Sequence, residues 1–295
     1  MFPTLFEING LGFHTWGLML ILAFLAASVV MQSRVARVGV DADRMVPLYM
    51  IAVVAGLVGS RLMHFIGADW RAFLANPAVF FDPGKGGFAF YGGAILGVLT
   101  GVVFLRMIKA PIWKVLDIGA ACLMLGASIG RVGCFFAGCC HGRSCDLPVS
   151  STLLSLRGGD VVLTDGAPWL ALLFHKGVGV GSLPDVALYP TQLWDAGATF
   201  LMFLFLSWMW RSWRRFDGQC IAALLLLYPG VRSTVETFRG DSVRGVDWFG
   251  MFTTSQMVSV PVAVIGLLLV IWRWPKGVAP EAPFVPEPDA DLPPL

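Results

Sequence analysis

One arginine lies where an apolar helix should contain only hydrocarbon side chains. Arg131 occurs near the end of an apolar segment, and glycines and cysteines are frequent from there to Cys145. If this segment spans a membrane, a charged side chain at that depth costs a few kcal/mol or more and usually faces an anionic partner or a water-filled site. Irregular backbone is tolerated there only where it is buried in protein or lines a cavity. Residues 126–145 are therefore the first candidate for a functional site.

Two more arginines, Arg61 and Arg232, also lie inside apolar segments. At a helical rise of about 1.5 Å per residue, all three arginines fall in the same half of a bilayer. Four other polar or aromatic residues reach that level: Trp16, Tyr91, Asp195 and Glu236. Convergence from several helices predicts a site. The alternative is that each arginine extends alone to the lipid headgroups, as long basic side chains do.

The spacing after Arg232 favours a charged cluster on one helix face. Glu236 and Arg239 follow Arg232 at positions i+4 and i+7, which bring side chains together on a helix. Glycines flank Tyr91 on both sides and let the backbone approach another group closely. Tyr91 is then either an interfacial aromatic residue or a hydroxyl presented to a ligand.

Four of the six cysteines form a group in the sequence: Cys134, Cys139, Cys140 and Cys145. Their spacing does not match the paired C-x-x-C pattern of common zinc sites, so no metal is predicted. On the oxidising side of a membrane a disulfide is the simpler interpretation, and we expect at least one within residues 134–145. Free packing thiols are the main alternative, and a metal-binding or catalytic thiol is the third. We expect Cys139 and Cys140 to serve structure rather than catalysis.

The composition indicates the environment in which these residues lie. Of the 295 residues, 57% are hydrophobic and 14% are charged, and the mean hydropathy is +0.74. A soluble domain carries about 25% charged residues. The chain is therefore predicted to be an integral membrane protein. Its net charge of +2 is too small to suggest a nucleic-acid partner.

Seven apolar segments are long enough to cross a bilayer, which takes about 20 residues. They are residues 13–31, 45–66, 88–105, 115–136, 192–210, 219–238 and 256–272. The flank before the first segment contains no Lys or Arg, unlike the basic start of a signal peptide, so we expect this segment to be retained. The predicted fold class is an all-α integral membrane protein with seven spans.

Charge placement predicts the orientation of these spans. Lys and Arg are denser in the short connections after spans one, three and five, and after span seven, than in the longer loops. Basic residues favour the cytoplasmic side, so the N-terminus is predicted outside and the C-terminus inside. We expect one membrane domain over residues 1–275, with a small periplasmic subdomain containing short strands at about 141–190. Residues 276–295 are rich in Pro, Ala and acidic residues and are predicted to be a disordered cytoplasmic tail.

Several short motifs together point to a family. The sequence Gly130-Arg131-Val132-Gly133-Cys134-Phe135, with Gly138 and Gly142, resembles the signature of the prolipoprotein diacylglyceryl transferases. Further similarities occur in the family's order between about residues 8 and 275: the Trp16-Gly17 opening of span one, Gly59-Ser60-Arg61, Phe90-Tyr91-Gly92-Gly93, Pro190-Thr191-Gln192-Leu193 and Arg232-x3-Glu236-x2-Arg239. The family, too, has seven spans with the N-terminus outside.

The resemblance implies an activity in the bacterial cytoplasmic membrane. Members of the family move a diacylglyceryl group from phosphatidylglycerol to the thiol of the lipobox cysteine in a prolipoprotein signal peptide. A thioether forms, glycerol 1-phosphate leaves, and no cofactor or metal takes part. The partners expected for this chain are thus phosphatidylglycerol, the prolipoprotein and the lipid bilayer.

The resemblance also implies roles for individual residues. Arg131, Arg232 and Tyr91 are the expected catalytic residues, and Arg131 contacts the phosphatidylglycerol headgroup. Glu236 and Arg239 are expected to form ion pairs that support this site. The residues expected to bind substrate are Arg131, Arg61, Gly133, Gly138, Gly142, Tyr228, Glu236, Arg239, Asp195 and Trp16.

At some positions this chain departs from the family's pattern. Tyr91 replaces a histidine, Cys134 an asparagine and Cys139 a glutamate. The acceptor thiol has a pKa of about 8.5, and a cationic site increases its thiolate fraction. A dedicated base is then unnecessary, with Tyr91 or Asp195 only orienting the reactants. Two other functions stay open: a paralogue that transfers another group or uses another acceptor with the same phospholipid pocket, and a lipid-binding or transport protein without chemistry.

Overall fold

The structure is a computed structural model, and it describes most of the chain. The described residues are 4–8, 11–68, 70–81, 89–143, 149–156, 159–164, 172–174, 186–239 and 254–278.

Helices dominate the described residues. They are α1 (Thr15–Val35), α2 (Met45–Ala68), α3 (Trp70–Ala75), α4 (Phe90–Met107), α5 (Ile112–Ala137), α6 (Thr191–Ser212), α7 (Gln219–Thr237) and α8 (Thr254–Arg273). Short 3-10 turns cover Ala36–Val38, Pro77–Phe81 and Trp274–Lys276. The predicted start of span five is confirmed, because α6 begins directly after Pro190, whose fixed backbone angle suits a helix start.

Five of these helices are long and apolar enough to cross a membrane. The spans lie at Thr15–Val38, Met45–Gly67, Ile112–Ala137, Thr191–Ser212 and Ser255–Lys276. Large apolar side chains such as Val29 and Val260 are about two-thirds exposed on these helices, as expected of lipid-facing residues. The chain is thus a multi-pass membrane protein. The apolar part of α4, Gly92–Met107, is shorter, and α7 is helical but less apolar, so the count of seven spans stays a prediction.

Strands occupy two places. An antiparallel hairpin of β1 (Thr4–Ile8) and β2 (Leu11–His14) leads directly into α1, and the sequence pattern did not predict it. Between α5 and α6, four strands form an antiparallel sheet in chain order: β3 (Val149–Leu156), β4 (Gly159–Thr164), β5 (Leu172–Phe174) and β6 (Val186–Leu188). In the part of the chain that the structure describes, the fold is therefore helical with two small sheets, and the periplasmic location of the second sheet stays a prediction.

The described residues fall into two compact units, the smaller of which spans residues 32–115. It is built on the contact between α2 and α4, where glycines of both helices meet. A Cβ atom placed on Gly59 would lie 2.4 Å from the Gly92 carbonyl oxygen, and one on Gly93 would lie 2.8 Å from that of Gly56. Small residues let membrane helices approach this closely. The Gly92-Gly93 pair therefore allows α2 to pack closely against α4.

The larger unit contains the residues up to Met31 together with residues 116–278. Within it, α1 packs against α5, and α7 packs against α8 through Gly266, where a Cβ would lie 3.0 Å from the Leu225 Cβ. The Ser128 hydroxyl on α5 donates a 2.9 Å hydrogen bond to the Ala196 carbonyl on α6. The two helices that carry the central candidate residues are thus joined by a buried polar contact.

A buried carboxylate joins α5 to the start of α7. Asp117 is completely buried, and its two oxygens accept hydrogen bonds from the backbone N–H groups of Gly218, Cys220 and Ile221 at 2.8, 2.8 and 3.1 Å. Gly218 is the N-cap of α7 and has no side chain with which to cap it. The carboxylate of another helix therefore satisfies the exposed N–H groups at this helix end.

Candidate active site

The centre of the candidate site is an ion pair between α5 and α6. Nε of Arg131 lies 2.8 Å from Oδ2 of Asp195. The side chain of Asp195 is 2% exposed, whereas that of Arg131 is 23% exposed. The carboxylate is therefore enclosed and holds the guanidinium in place, while the guanidinium keeps an open side on which an anion can bind.

The two glycines that flank Arg131 have different surroundings. A Cβ on Gly133 would lie 2.8 Å from the Met19 Cβ and 3.6 Å from the Trp16 Cδ1, so this glycine admits α1. A Cβ on Gly130 would have no neighbouring atom of the described residues within 4 Å. Gly130 thus has open space around it among the described residues, while Gly133 serves helix packing in this structure. Trp16 is about half exposed on the same helix face.

The second charged group is on α7 and confirms the ion pairing that the sequence predicted. Glu236 is buried, and its Oε2 pairs with Nη2 of Arg232 and lies 3.7 Å from Nη1 of Arg239. Nη2 of Arg232 also donates a 3.1 Å hydrogen bond to the Ser255 hydroxyl on α8. One carboxylate therefore holds two guanidinium groups, that of Arg232 on α7 and that of Arg239 just beyond the end of α7.

After α5, two residues have a left-handed backbone conformation, with positive φ. Gly138, with φ of 73°, ends the helix, as glycine often does because it has no Cβ penalty there. Cys140 has φ of 60°, which is uncommon for a non-glycine residue. At Gly142 a Cβ would lie 2.4 Å from the Tyr189 carbonyl oxygen. Gly138 and Gly142 thus have structural reasons to be glycine, and their predicted contact with substrate stays a prediction.

Backbone hydrogen bonds attach this segment to the residues just before α6 and just after α7. The Gly142 N–H donates to the Tyr189 carbonyl at 2.9 Å, and the Arg143 N–H donates to the Phe238 carbonyl at 2.8 Å. Gly142 also forms an isolated antiparallel bridge with Arg239. The segment after α5 is therefore attached to both the approach to α6 and the end of α7.

Two polar side chains at the start of α6 bind the backbone of the cysteine segment. The Thr191 hydroxyl donates to the Cys140 carbonyl, and Nε2 of Gln192 donates to the Cys139 carbonyl, both at 2.9 Å. Both side chains are buried. The sequence included them in a motif but did not predict this role. The signal was a pair of polar residues in the first turn of an otherwise apolar helix.

Three thiols lie together at this position. The Sγ atoms of Cys134, Cys139 and Cys140 all lie within 4.8 Å of one another, and none of the three forms a disulfide. Cys145 lies outside the described residues. The expected disulfide is therefore wrong for these three cysteines, because the turn after α5 brings the thiols near one another without joining them. Cys122 and Cys220 are buried elsewhere and form no disulfide.

The thiols influence one another electrostatically. Hydrogen bonds with Cys134 and Cys139 lower the pKa of the Cys140 thiol, and the positive charges of Arg239 and Arg131 add to this effect. Hydrogen bonds to Cys134 and Cys140 raise the pKa of the Cys139 thiol. The thiolate form is thus favoured at Cys140 and disfavoured at Cys139.

The remaining predicted residues have less direct evidence. Tyr228 on α7 is half-buried and interacts electrostatically with Arg131. Arg61 belongs to the smaller unit, is 4% exposed, and donates hydrogen bonds to the carbonyls of Phe80 and Val79 at 3.0 and 3.3 Å. Tyr91 lies in the first turn of α4 in the same unit, and its side chain lies outside the described part.

Arg61 therefore has a structural role in this conformation. Its guanidinium also lies 5.1 Å from the ring centroid of Phe65, a distance at which a cation is attracted by the ring face. These contacts hold the 3-10 turn at Pro77–Phe81 against α2. The prediction that Arg61 binds substrate stays a prediction.

Comparison with known proteins gives a consistent result. The model of the family described as prolipoprotein diacylglyceryl transferase matches residues 3–272. A phosphatidylglycerol–prolipoprotein diacylglyceryl transferase of Clostridium tetani is 28% identical over 269 residues, covering 91% of this chain and 96% of the relative. A protein of the same name from Solidesulfovibrio magneticus is 30% identical over 286 residues, covering 95% and 97%. The match extends over nearly the whole chain in each case, so the chain belongs to the prolipoprotein diacylglyceryl transferase family.

Proposed function

We propose that this protein transfers the diacylglyceryl group of phosphatidylglycerol to the lipobox cysteine thiol of prolipoproteins. The reaction forms a thioether and releases glycerol 1-phosphate. Support comes from family membership and from the relatives, whose names specify phosphatidylglycerol and prolipoprotein. The charged groups around Arg131 are suited to this chemistry, since the leaving group is a phosphate.

The observation that carries the proposal is the partly open Arg131–Asp195 pair. A phosphate leaving group requires fixed positive charge where negative charge builds up, and a guanidinium can hold two phosphate oxygens at once. Because Asp195 contacts Nε of Arg131, the guanidinium is oriented before a ligand arrives. The open space at Gly130 gives a headgroup room to approach.

The charged group on α7 is proposed to complete the phosphate site. Arg232 and Arg239 are both held by the buried Glu236, which leaves a net positive charge of one on this group. Arg239 and Arg131 both contribute positive charge at the same thiol, that of Cys140, which supports one shared site. Tyr228 is proposed to help orient the headgroup beside Arg131.

We propose that the protein crosses the bacterial cytoplasmic membrane seven times, with its N-terminus outside and its C-terminus inside. The asymmetry of Lys and Arg supports this arrangement, and phosphatidylglycerol headgroups of the outer leaflet would then reach Arg131. A reporter that functions only in the cytoplasm should be active when fused after Lys276. A reporter active there only in the periplasm would contradict the orientation.

The transfer itself is tested with purified protein in liposomes that contain phosphatidylglycerol with a labelled diacylglyceryl group. A peptide with a lipobox cysteine should acquire the label, and the same peptide with serine in place of that cysteine should not. Expression should also rescue lipoprotein modification in cells depleted of their own transferase. Binding of phosphatidylglycerol without any transfer would contradict the proposal and favour a lipid-binding function instead.

A further inference from the structure

The three-thiol cluster has the composition of a metal site. Among the described residues, Cys134, Cys139 and Cys140 form a group whose Sγ atoms lie within 4.8 Å of one another. Cys139 is exposed, and the other two are partly buried. The group is thus enclosed on one side and reachable on the other. The three thiols converge at this surface without forming a disulfide.

The backbone that carries the cluster is held in place from outside. Buried Gln192 and Thr191 bind the carbonyls of Cys139 and Cys140. Cys140 keeps a left-handed conformation, which costs a residue with a side chain of order 1 kcal/mol or more. Strain of this kind persists only where the surroundings enforce it. Contacts of the backbone therefore help to hold the thiols together, in addition to the 3.8 Å hydrogen bond from the Cys139 thiol to the Cys134 carbonyl.

The distances fit a soft divalent cation. Thiolates favour Zn²⁺ and Cu⁺ over hard cations. With Zn–S bonds of about 2.3 Å in a tetrahedral site, the sulfur atoms are roughly 3.8 Å apart, so the cluster needs to contract by about 1 Å at most. Three protein ligands also leave one position open, as in catalytic rather than structural zinc sites.

The charge around the cluster favours the same assignment. Zn²⁺ with three thiolates carries one negative charge, and a fourth thiolate brings the total to two. Arg131 lies one helix turn before Cys134 on α5, and the backbone of Arg239 is bridged to Gly142, two residues after Cys140. Their positive charge offsets that of the occupied site.

We propose that Cys134, Cys139 and Cys140 bind one Zn²⁺ ion, and that its open position binds the sulfur of the lipobox cysteine as a thiolate. The assignment of this ligand rests on the proposed transferase function. Metal coordination deprotonates a thiol outright, so this site supplies the reactive acceptor without a dedicated protein base. The ion lies beside the guanidinium that receives the leaving phosphate.

The step is balanced without any further reactant. The acceptor S–H bond breaks as the sulfur coordinates the ion, and the proton passes to water. The sulfur then forms a C–S bond with the glyceryl CH₂ group, and the C–O bond to phosphate breaks. Its electron pair leaves on the phosphate oxygen, and the released phosphate monoester can take up a proton from water. Nothing is oxidised or reduced.

Cobalt(II) is the probe that tests this site directly. The full-length protein is purified in detergent, treated with a chelator and titrated with Co²⁺ alone. Wild type should bind one Co²⁺ per chain and show the near-ultraviolet charge-transfer band of cobalt thiolate, and Zn²⁺ should remove the band. Cys134→Ser, Cys139→Ser and Cys140→Ser should each lose it. Cys122→Ser, which changes a buried thiol outside the cluster, should bind Co²⁺ as wild type does.

Coordination of the acceptor sulfur to the metal is tested in the same samples. Addition of a lipobox peptide should increase the charge-transfer band, and the peptide with serine in place of cysteine should not. Absence of Co²⁺ binding, or a disulfide among the three cysteines in freshly purified protein, would overturn the metal site. A band that does not respond to the cysteine peptide would overturn acceptor binding. These readouts do not depend on transfer of label, so failure of the proposed function is detected separately in the liposome assay.

Discussion

The two ends of α5 each place a charged residue inside the protein, but they treat it differently. At one end Asp117 is completely buried, and its oxygens accept three backbone hydrogen bonds from the start of α7. At the other end Arg131 pairs with Asp195 but is 23% exposed. Open space lies beside it at Gly130, and a cluster of thiols lies nearby.

The difference separates a charge that stabilises the fold from one that is available to a ligand. Enclosing a charge is tolerated when hydrogen bonds replace those that it made with water. Asp117 meets that condition fully, so its contacts are already complete. Arg131 is held by one enclosed carboxylate and keeps an open side, as expected of a residue that binds an anion during function.

Of the two ends of α5, the end that contains Asp117 should contribute most to stability. Asp117→Ala leaves the N–H groups of Gly218, Cys220 and Ile221 without their acceptor, and each buried unsatisfied group costs about 1–3 kcal/mol. We expect the free energy of unfolding in detergent to fall by roughly 3–5 kcal/mol. Asp43→Ala, at an exposed position, should change it by less than about 0.5 kcal/mol. Equal stability of the two variants would remove the distinction between the ends of α5.

The glycine after the cysteine segment should have a smaller effect on stability. In Gly142→Ala the new methyl group would lie 2.4 Å from the Tyr189 carbonyl oxygen, so the backbone must shift, at a cost of about 1–3 kcal/mol. Thermal unfolding should show this loss. Gly197→Ala is the matched control, because a Cβ there would have no described neighbour within 4 Å. Unchanged stability of Gly142→Ala would show that the segment is less firmly attached than its hydrogen bonds imply.

Substitution of Arg61 should have the smallest effect on stability. It also contrasts with substitution of Arg131, because we expect it to leave the transfer activity nearly unchanged. Lysine keeps the charge but loses the fork that binds the carbonyls of Phe80 and Val79. Arg61→Lys should cost about 1 kcal/mol of stability, and its transfer rate at matched membrane levels should stay within a few-fold of wild type. A well-folded Arg61→Lys protein without transfer activity would instead assign Arg61 to the substrate site.

Features that depend on local sequence could be predicted. Hydropathy located the helices because a span must bury its backbone hydrogen bonds within one apolar segment. Helical spacing also predicted the pairing of Glu236 with Arg232 and Arg239, although Arg239 lies two residues beyond the end of α7. The depth of Arg131 and Asp195 in their segments indicated one site, and the structure joins them.

Features that depend on contacts between distant segments could not be predicted in the same way. Asp117 caps a helix that begins about 100 residues later, and no local pattern marks such a pairing. Gly133 was expected to bind substrate, but α1 packs against that face. The cysteine spacing favoured a disulfide, whereas the left-handed turn at Cys140 decides how the thiols meet.

The central claim is that Arg131 holds the phospholipid phosphate and stabilises it as it leaves. The decisive measurement is transfer of labelled diacylglyceryl from phosphatidylglycerol to a lipobox peptide by Arg131→Lys and Arg131→Ala at matched membrane levels. Both proteins should fold. Lysine should lose most of the activity, because it has the charge but not the planar fork. Alanine should lose roughly 3–4 kcal/mol of transition-state stabilisation, or a few hundredfold in rate. Transfer by Arg131→Ala at the wild-type rate would contradict this account of the site.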